Sequence, residues 1–260
     1  MAFLQRPDGC RLYFEVHGPS DGAPLFLLEG RGGDIPGWRR NIPRLSERFR
    51  VMALDSRGNG LSDKPPERVT MSVFVEDTLA LMDELGLVDG HLYGQSFGGM
   101  VAIETALSHP VRVRSLVLAC THAGRSLMVP ARNRAKVPKD KPYLALYSPT
   151  FAREHPEHVA EDIVVGGRNP QPMHAGRRQW EAIQAWDAWD RLAEIRCPTL
   201  VLHGTEDIMV DMENALLLAE RITDAELVLL EGAGHVYHSE QPERADAAVL
   251  DFLDRVEARR

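Results

Sequence analysis

Cysteine is scarce in this chain, and the three present stand apart. Cys10, Cys120 and Cys197 are odd in number, widely separated and without CxxC spacing. That argues against a disulfide framework and a zinc site. Cys120 and Cys197 flank apolar runs and read as core residues. Positive charge is also short: 30 Lys and Arg against 38 Asp and Glu leave a formal net charge of -8. Nucleic acid is not expected as a partner, because phosphate binding needs clustered excess positive charge, and anionic membrane surfaces are disfavoured for the same reason. No stretch is long and apolar enough to span a bilayer. The start, "MAFLQRPDGCRLYF", lacks a positive region followed by an apolar stretch and a small-residue cleavage site, so no signal peptide is read and a cytoplasmic location is expected. Repeats and low-complexity segments are missing too.

What is present is an ordinary enzyme-like composition, 44% hydrophobic and 26% charged over 260 residues. That is enough for one large domain carrying an insertion. Short branched apolar runs, bounded by Gly, Pro or charge, recur along it. "RLYFEVHG" reads as a strand of an N-terminal hairpin. "PLFLLEG", "VMALD", "HLYG", "SLVLAC", "TLVLHG" and "AELVLLEG" read as buried strands of a mostly parallel sheet. Helical patterns fall between them. Phe74, Thr78, Leu81, Met82 and Leu85 share a face, with Gly86 where a C-terminal cap belongs. A further helix runs to Pro110, and the last begins near Pro242 and buries Ala245, Val249, Phe252 and Val256. This alternation predicts an α/β fold, a doubly wound mostly parallel sheet with helices on both faces.

From about Gly124 to Trp189 the rhythm breaks. No clear strand is read there. "RSLMVPARNRAKVPKDKPY" carries six basic residues (Arg125, Arg132, Arg134, Lys136, Lys139 and Lys141) and one acidic, and "RRQWEAIQAWDAWDRL" reads as helix. The expectation is a core of residues 1–124 and 190–260 with a helical lid over 125–189. Trp180, Ile183, Trp186 and Trp189 recur at roughly helical spacing. Trp186 and Trp189 are candidates for lining a substrate pocket; the alternative is that this face docks the insertion on the core.

Between "HLYG" and "GGMVAIETAL" lies Gly94-Gln95-Ser96-Phe97-Gly98. GxSxG alone is a weak pattern. On a sharp strand-to-helix turn it becomes specific: the glycines let backbones approach closely, and Ser96 stands at a helix N-terminus that favours developing negative charge. A serine hydroxyl needs a base, and the base an orienting acid. Glu206 and Asp207 follow one later strand and His235 the next. The chain order Ser, Asp, His is the one this fold uses.

With "LLEGRGGD", "DSRGNGLSDKP", "GQSFGGM", "PTLVLHGTEDIMV" and "GAGHVYHSEQPE" in this order, nearly the whole chain resembles the α/β-hydrolase fold superfamily. It is similar to the compact group of 3-oxoadipate enol-lactonases, small esterases and cofactor-free haloperoxidases. The resemblance implies Ser96 as nucleophile, His235 as general base and Asp207 as acid, with Glu206 the alternative acid. His122, His203 and His238 also lie near strand ends; His203 is expected beneath the loop and His238 at the opening of the last helix. The oxyanion hole is expected from the N–H groups of Phe97 and Arg31. Many relatives have His-Gly where this chain has Glu29-Gly30. Glu29 is either loop scaffolding or a second carboxylate beside the pocket, and Glu29 and Gly30 are carried as candidate substrate contacts. Asp55, Arg57 and Gly58 read as a structural brace built on an Asp–Arg pair.

The implied activity is hydrolysis of a carboxylic ester or lactone through an acyl-enzyme, acting on a small molecule with no metal or organic cofactor. A serine nucleophile argues against haloalkane dehalogenases and epoxide hydrolases, whose relatives use aspartate. The rivals are a non-hydrolytic eliminase or cyclase, or a carbon–carbon bond hydrolase, on the same scaffold, and more remotely a ligand-binding receptor. Self-association is left open.

Overall fold

The computed structural model describes residues 2–130 and 137–260. Arg132, Arg134 and Lys136 of the basic run lie outside the described residues. Strands β1 (Ala2–Gln5) and β2 (Arg11–His17) form the N-terminal hairpin, followed by β3 (Ala23–Leu28), β4 (Phe49–Leu54), β5 (Gly90–Gln95), β6 (Val113–Ala119), β7 (Thr199–Gly204) and β8 (Glu226–Leu230). Their order across one sheet is β1-β2-β4-β3-β5-β6-β7-β8. β2 runs antiparallel to β1 and β4, and every pairing from β4 to β8 is parallel. β5 and β7 are buried along their whole length. A parallel strand covered on both faces cannot alternate polar and apolar residues, which is why these segments read as continuous apolar runs.

Helix α1 (Ile42–Leu45) follows a 3-10 turn at Ile35–Trp38; α2 (Met71–Glu84) and α3 (Phe97–Ser108) come next. α4 (Pro149–Glu154), α5 (Pro156–Gly166) and α6 (Met173–Gln184) fall between β6 and β7, and α7 (Glu213–Arg221), α8 (Tyr237–Glu240) and α9 (Pro242–Glu257) complete the chain. α2 ends where its sequence says it must. Gly86 takes φ +65, its N–H reaches Asp83 O at 3.0 Å, and the Leu87 N–H reaches Met82 O at 2.8 Å. This is the paired 5→2 and 6→1 closure that a left-handed residue permits.

The sheet separates two cores. On one face α2, α3 and α7 bury Phe74, Leu81, Ile103, Ala215 and Leu218 against Leu92, Leu116 and Val201. On the other, α1 and α9 bury Leu45, Val249, Phe252 and Leu253 against Leu25, Val51 and Leu200. Each fully buried Leu or Phe contributes about 1.5–3 kcal/mol. The carboxyl ends of β3, β5, β7 and β8 are thereby fixed side by side, the edge at which open α/β sheets place ligands.

Candidate active site

Ser96 occupies the one-residue corner between β5 and α3. Its backbone sits at φ 52, ψ -113, a region that costs a non-glycine residue of order 1–3 kcal/mol and persists only when its surroundings over-determine it. They do so here. The Ser96 N–H donates to Ala119 O at 2.8 Å, and its carbonyl accepts Thr121 Oγ1–H at 2.7 Å. A Cβ on Gly94 would collide with the Gly98 carbonyl, and one on Gly98 with the Leu28 carbonyl. The glycines therefore let α3 close against both β5 and the end of β3. Phe97 opens α3, so its N–H is among the donors that a helix start leaves without an intrahelical acceptor.

Asp207 and His235 meet across the ends of β7 and β8. His235 Nδ1 lies 2.7 Å from Asp207 Oδ2. Asp207 Oδ1 accepts the N–H groups of Met209 at 2.7 Å and Val210 at 3.0 Å. Burial alone would raise this carboxyl. The His235 charge and the hydrogen bonds from His203 and His235 outweigh it and hold Asp207 below the usual carboxylate range. Glu206, the adjacent candidate, uses its own N–H on Ala233 O at 2.9 Å and lines a cavity with Leu144, Ala152 and Arg153. Gln95, the residue before Ser96, donates from Nε2 to His235 O at 3.2 Å, tying the serine corner to the histidine loop.

The third strand end carries Glu29, Gly30 and Arg31. The Gly30 N–H donates to Glu29 Oε2 at 2.8 Å. Glu29 is 7% exposed, and the backbone at Gly33 and Gly37 wraps its carboxyl so closely that a Cβ at either would strike it. Burial pushes the Glu29 acid up to about 7; the Gly30 N–H opposes the rise, and Asp34 and Asp55 add to it. A Cβ on Gly30 would stand 3.3 Å from Ser96 Cβ, so this turn lies directly over the serine. Arg31 is exposed and stacks its guanidinium on Trp180 at 5.7 Å.

A family model described as alpha/beta hydrolase fold matches residues 23–164. The chain belongs to the α/β-hydrolase fold family. It is a hydrolase of that fold. A second model, described as TAP-like protein, matches residues 173–259. The protein named "Putative carbamate hydrolase RutD" of Agrobacterium fabrum is 32% identical over 93% of this chain and 98% of its own. A solved hydrolase of Pseudomonas aeruginosa is 31% identical, with a TM-score of 0.85 and coverage of 97% of each chain. The enol-lactonase of Burkholderia xenovorans is 25% identical, with a TM-score of 0.85, covering 97% of this chain and 100% of its own.

In this α/β-hydrolase the insertion between β6 and β7 is helical, but its tryptophans do not share one face. α6 stops at Gln184, and an isolated bridge pairs Gly124 with Asp187. Trp180 is on α6 and exposed. Trp186, beyond the helix, is buried in the core, and its Nε1–H donates to Glu104 of α3 at 2.9 Å. Trp189 stacks under the Arg221 guanidinium and walls a small cavity with His122 and Leu218. α5 is one of the places where the insertion is fastened to the core. Asp162 pairs with Arg39 and Arg40 and accepts hydrogen bonds from Ser239 Oγ at 2.5 Å and Tyr147 OH at 3.0 Å.

Two further expectations change. Arg57 does not pair with Asp55: its guanidinium clasps Asp77 at 2.6 and 2.8 Å and Asp8 at 2.8 Å. Asp55 instead accepts the N–H groups of Ile35 at 2.7 Å and Leu61 at 2.8 Å. His238 does not open the last helix; it lies within α8, its ring 4.8 Å from that of Trp38 and Nε2 3.9 Å from Glu29.

Sequence reasoning missed Asn59 and Glu240. Asn59 Nδ2 donates to Gly33 O at 2.6 Å. Glu240 Oε1 accepts the N–H groups of Ser148 at 3.0 Å and Gly234 at 3.1 Å, joining the insertion to the His235 loop. Cys120, His203 and Asp207 place ligand atoms within 4.8 Å of one another. Asp207 Oδ2 is nonetheless taken up by His235, so this trio serves the carboxylate.

Proposed function

We propose that this hydrolase cleaves a carboxylic ester or lactone through an acyl-enzyme on Ser96. The observation that carries the reading is the buried Asp207–His235 contact of 2.7 Å at the strand end beside a strained Ser96. With Nδ1 held by Asp207, His235 has Nε2 as its basic nitrogen. It takes the Ser96 proton as Oγ adds to the carbonyl carbon. The N–H groups of Phe97 and Arg31 receive the oxyanion. Collapse expels the alkoxide, which takes the proton from His235. Water, deprotonated by the same nitrogen, then adds to the acyl carbon and releases the acid and Ser96. The reaction so written uses no metal or organic cofactor. The helical segment 125–189 acts as the lid of the site, over a core of 1–124 and 190–260; its fastening through Asp162 to the loop after β3 and to Ser239 supports this.

A carbamate is the second reading, favoured by the name carried by the Agrobacterium relative over 93% of this chain. Addition to its carbonyl would use the same groups. Turnover of a panel of esters, lactones, β-diketones and carbamates in heavy-oxygen water, with Ser96→Ala as blank, tests both readings. One heavy oxygen in the product acid supports hydrolysis. Carbamate turnover exceeding that of every ester and lactone would replace the first reading by the second. Product without heavy oxygen would point to elimination or cyclisation.

A further inference from the structure

Gly30 to Gly33 form a tight turn beside the nucleophile. The Gly33 N–H donates to Gly30 O at 3.1 Å, and Gly32 takes φ +81, the signature of a type II turn with glycine at its third position. Asn59, fully buried, grips the same turn from outside, with Nδ2 2.6 Å from Gly33 O and 3.5 Å from Gly30 O. Asn59 is itself held, its Oδ1 accepting Gln171 Nε2–H at 2.6 Å and Gln179 Nε2–H at 3.0 Å. The Gly30 carbonyl therefore has a fixed direction. In a trans peptide the N–H of the next residue points the opposite way, so fixing Gly30 O also fixes the Arg31 N–H.

The same turn carries another N–H that could compete. Gly30 lies against Ser96, and its own N–H is consumed by Glu29 Oε2 at 2.8 Å. The loop has no room for Glu29 to swing away, since Gly33 and Gly37 enclose the carboxyl.

We propose that Glu29 is a positioning residue of the acylation step. Its carboxyl takes the Gly30 N–H and, with Asn59 on the opposite side, locks the 30–33 turn so that the Arg31 N–H is the donor presented to the oxyanion. What Glu29 supplies is an acceptor oxygen, not a substrate contact. The inference rests on the serine-hydrolase reading above. Preorganised donors matter at this scale: losing one oxyanion donor costs roughly 10²–10³ in kcat in other serine hydrolases.

The test compares Glu29→Gln, which keeps an acceptor oxygen, with Glu29→Met, which keeps the volume and removes it. Kinetics are followed on whichever ester the wild-type enzyme turns over fastest. Glu29→Met is expected to lower kcat by roughly 10–10²-fold with KM within about twofold, while Glu29→Gln stays within about threefold of wild type. Wild-type kcat in Glu29→Met overturns the proposal. A rise in KM at constant kcat does so as well, because it would make Glu29 a substrate contact. Equal loss in both variants also overturns it, since the acceptor would then not be what matters. If Glu29→Met fails to fold by circular dichroism, Asn59→Leu decides from the other side of the turn: lower kcat at constant KM supports the lock, and unchanged kcat removes it. Full activity of Ser96→Ala would instead sink the underlying reading, and that result is separable from all of these.

Discussion

The Asp207 carboxylate is fully buried, and His235 Nδ1 reaches its Oδ2 at 2.7 Å, while Met209 and Val210 donate to the other oxygen. One oxygen is held by backbone, and the other faces the His235 imidazole, with His203 Nε2 3.4 Å from it. Asp207→Asn puts an amide where the Nδ1–H needs an acceptor and favours the wrong tautomer. A fall in kcat of roughly 10²–10⁴-fold is expected, against less than about threefold for Glu206→Gln, at a residue that lines the cavity beside Arg153. Steady-state kinetics on both variants check this; comparable losses would mean that the acid is misassigned.

Trp186 is buried in the core, and its Nε1–H donates to Glu104 of α3. Trp186→Ala is expected to cost about 3–5 kcal/mol of stability, with Trp186→Phe recovering most of it, and KM unchanged in the Phe variant. Denaturant titration with kinetics on the folded fraction is the measurement. A shift in substrate preference at unchanged stability would instead make Trp186 a pocket wall.

Glu240 bridges the insertion and the histidine loop. Burial raises its acid from 4.5 to about 7. A folded-state pKa above the unfolded value means that folding favours the neutral form. Stability is therefore full below pH 4.5 and declines as pH rises towards 7 and beyond. Glu240→Gln keeps the Oε1 acceptor for Ser148 and Gly234 and removes the ionisation. Between pH 5 and pH 8 the wild type is expected to lose ~1–3 kcal/mol more than the variant, read from urea midpoints. Identical slopes would contradict it.

The parts legible in the sequence are those whose constraint is local. β3, β5 and β7 announce themselves because double-sided burial removes polar residues. Gly86 marks the end of α2 because the closing residue must be left-handed. Gly94 and Gly98 surround Ser96 because backbone carbonyls leave no space for a Cβ. The illegible parts depend on where distant chain segments cross. Trp180, Trp186 and Trp189 have helical spacing, yet α6 ends at Gln184 and the chain turns back where Asp187 bridges to Gly124. Arg57 finds Asp77, twenty residues on, rather than the nearby Asp55. Glu29 and Asn59 look like ordinary loop residues until the turn they grip is seen above Ser96.

The central claim is that Ser96 is the nucleophile, and the kcat of Ser96→Ala on the best substrate of the panel tests it most directly. With folding intact by circular dichroism, the account predicts a fall of about 10³-fold or more, to the residual rate that binding and the oxyanion donors supply alone. A variant keeping a tenth of wild-type kcat would contradict it.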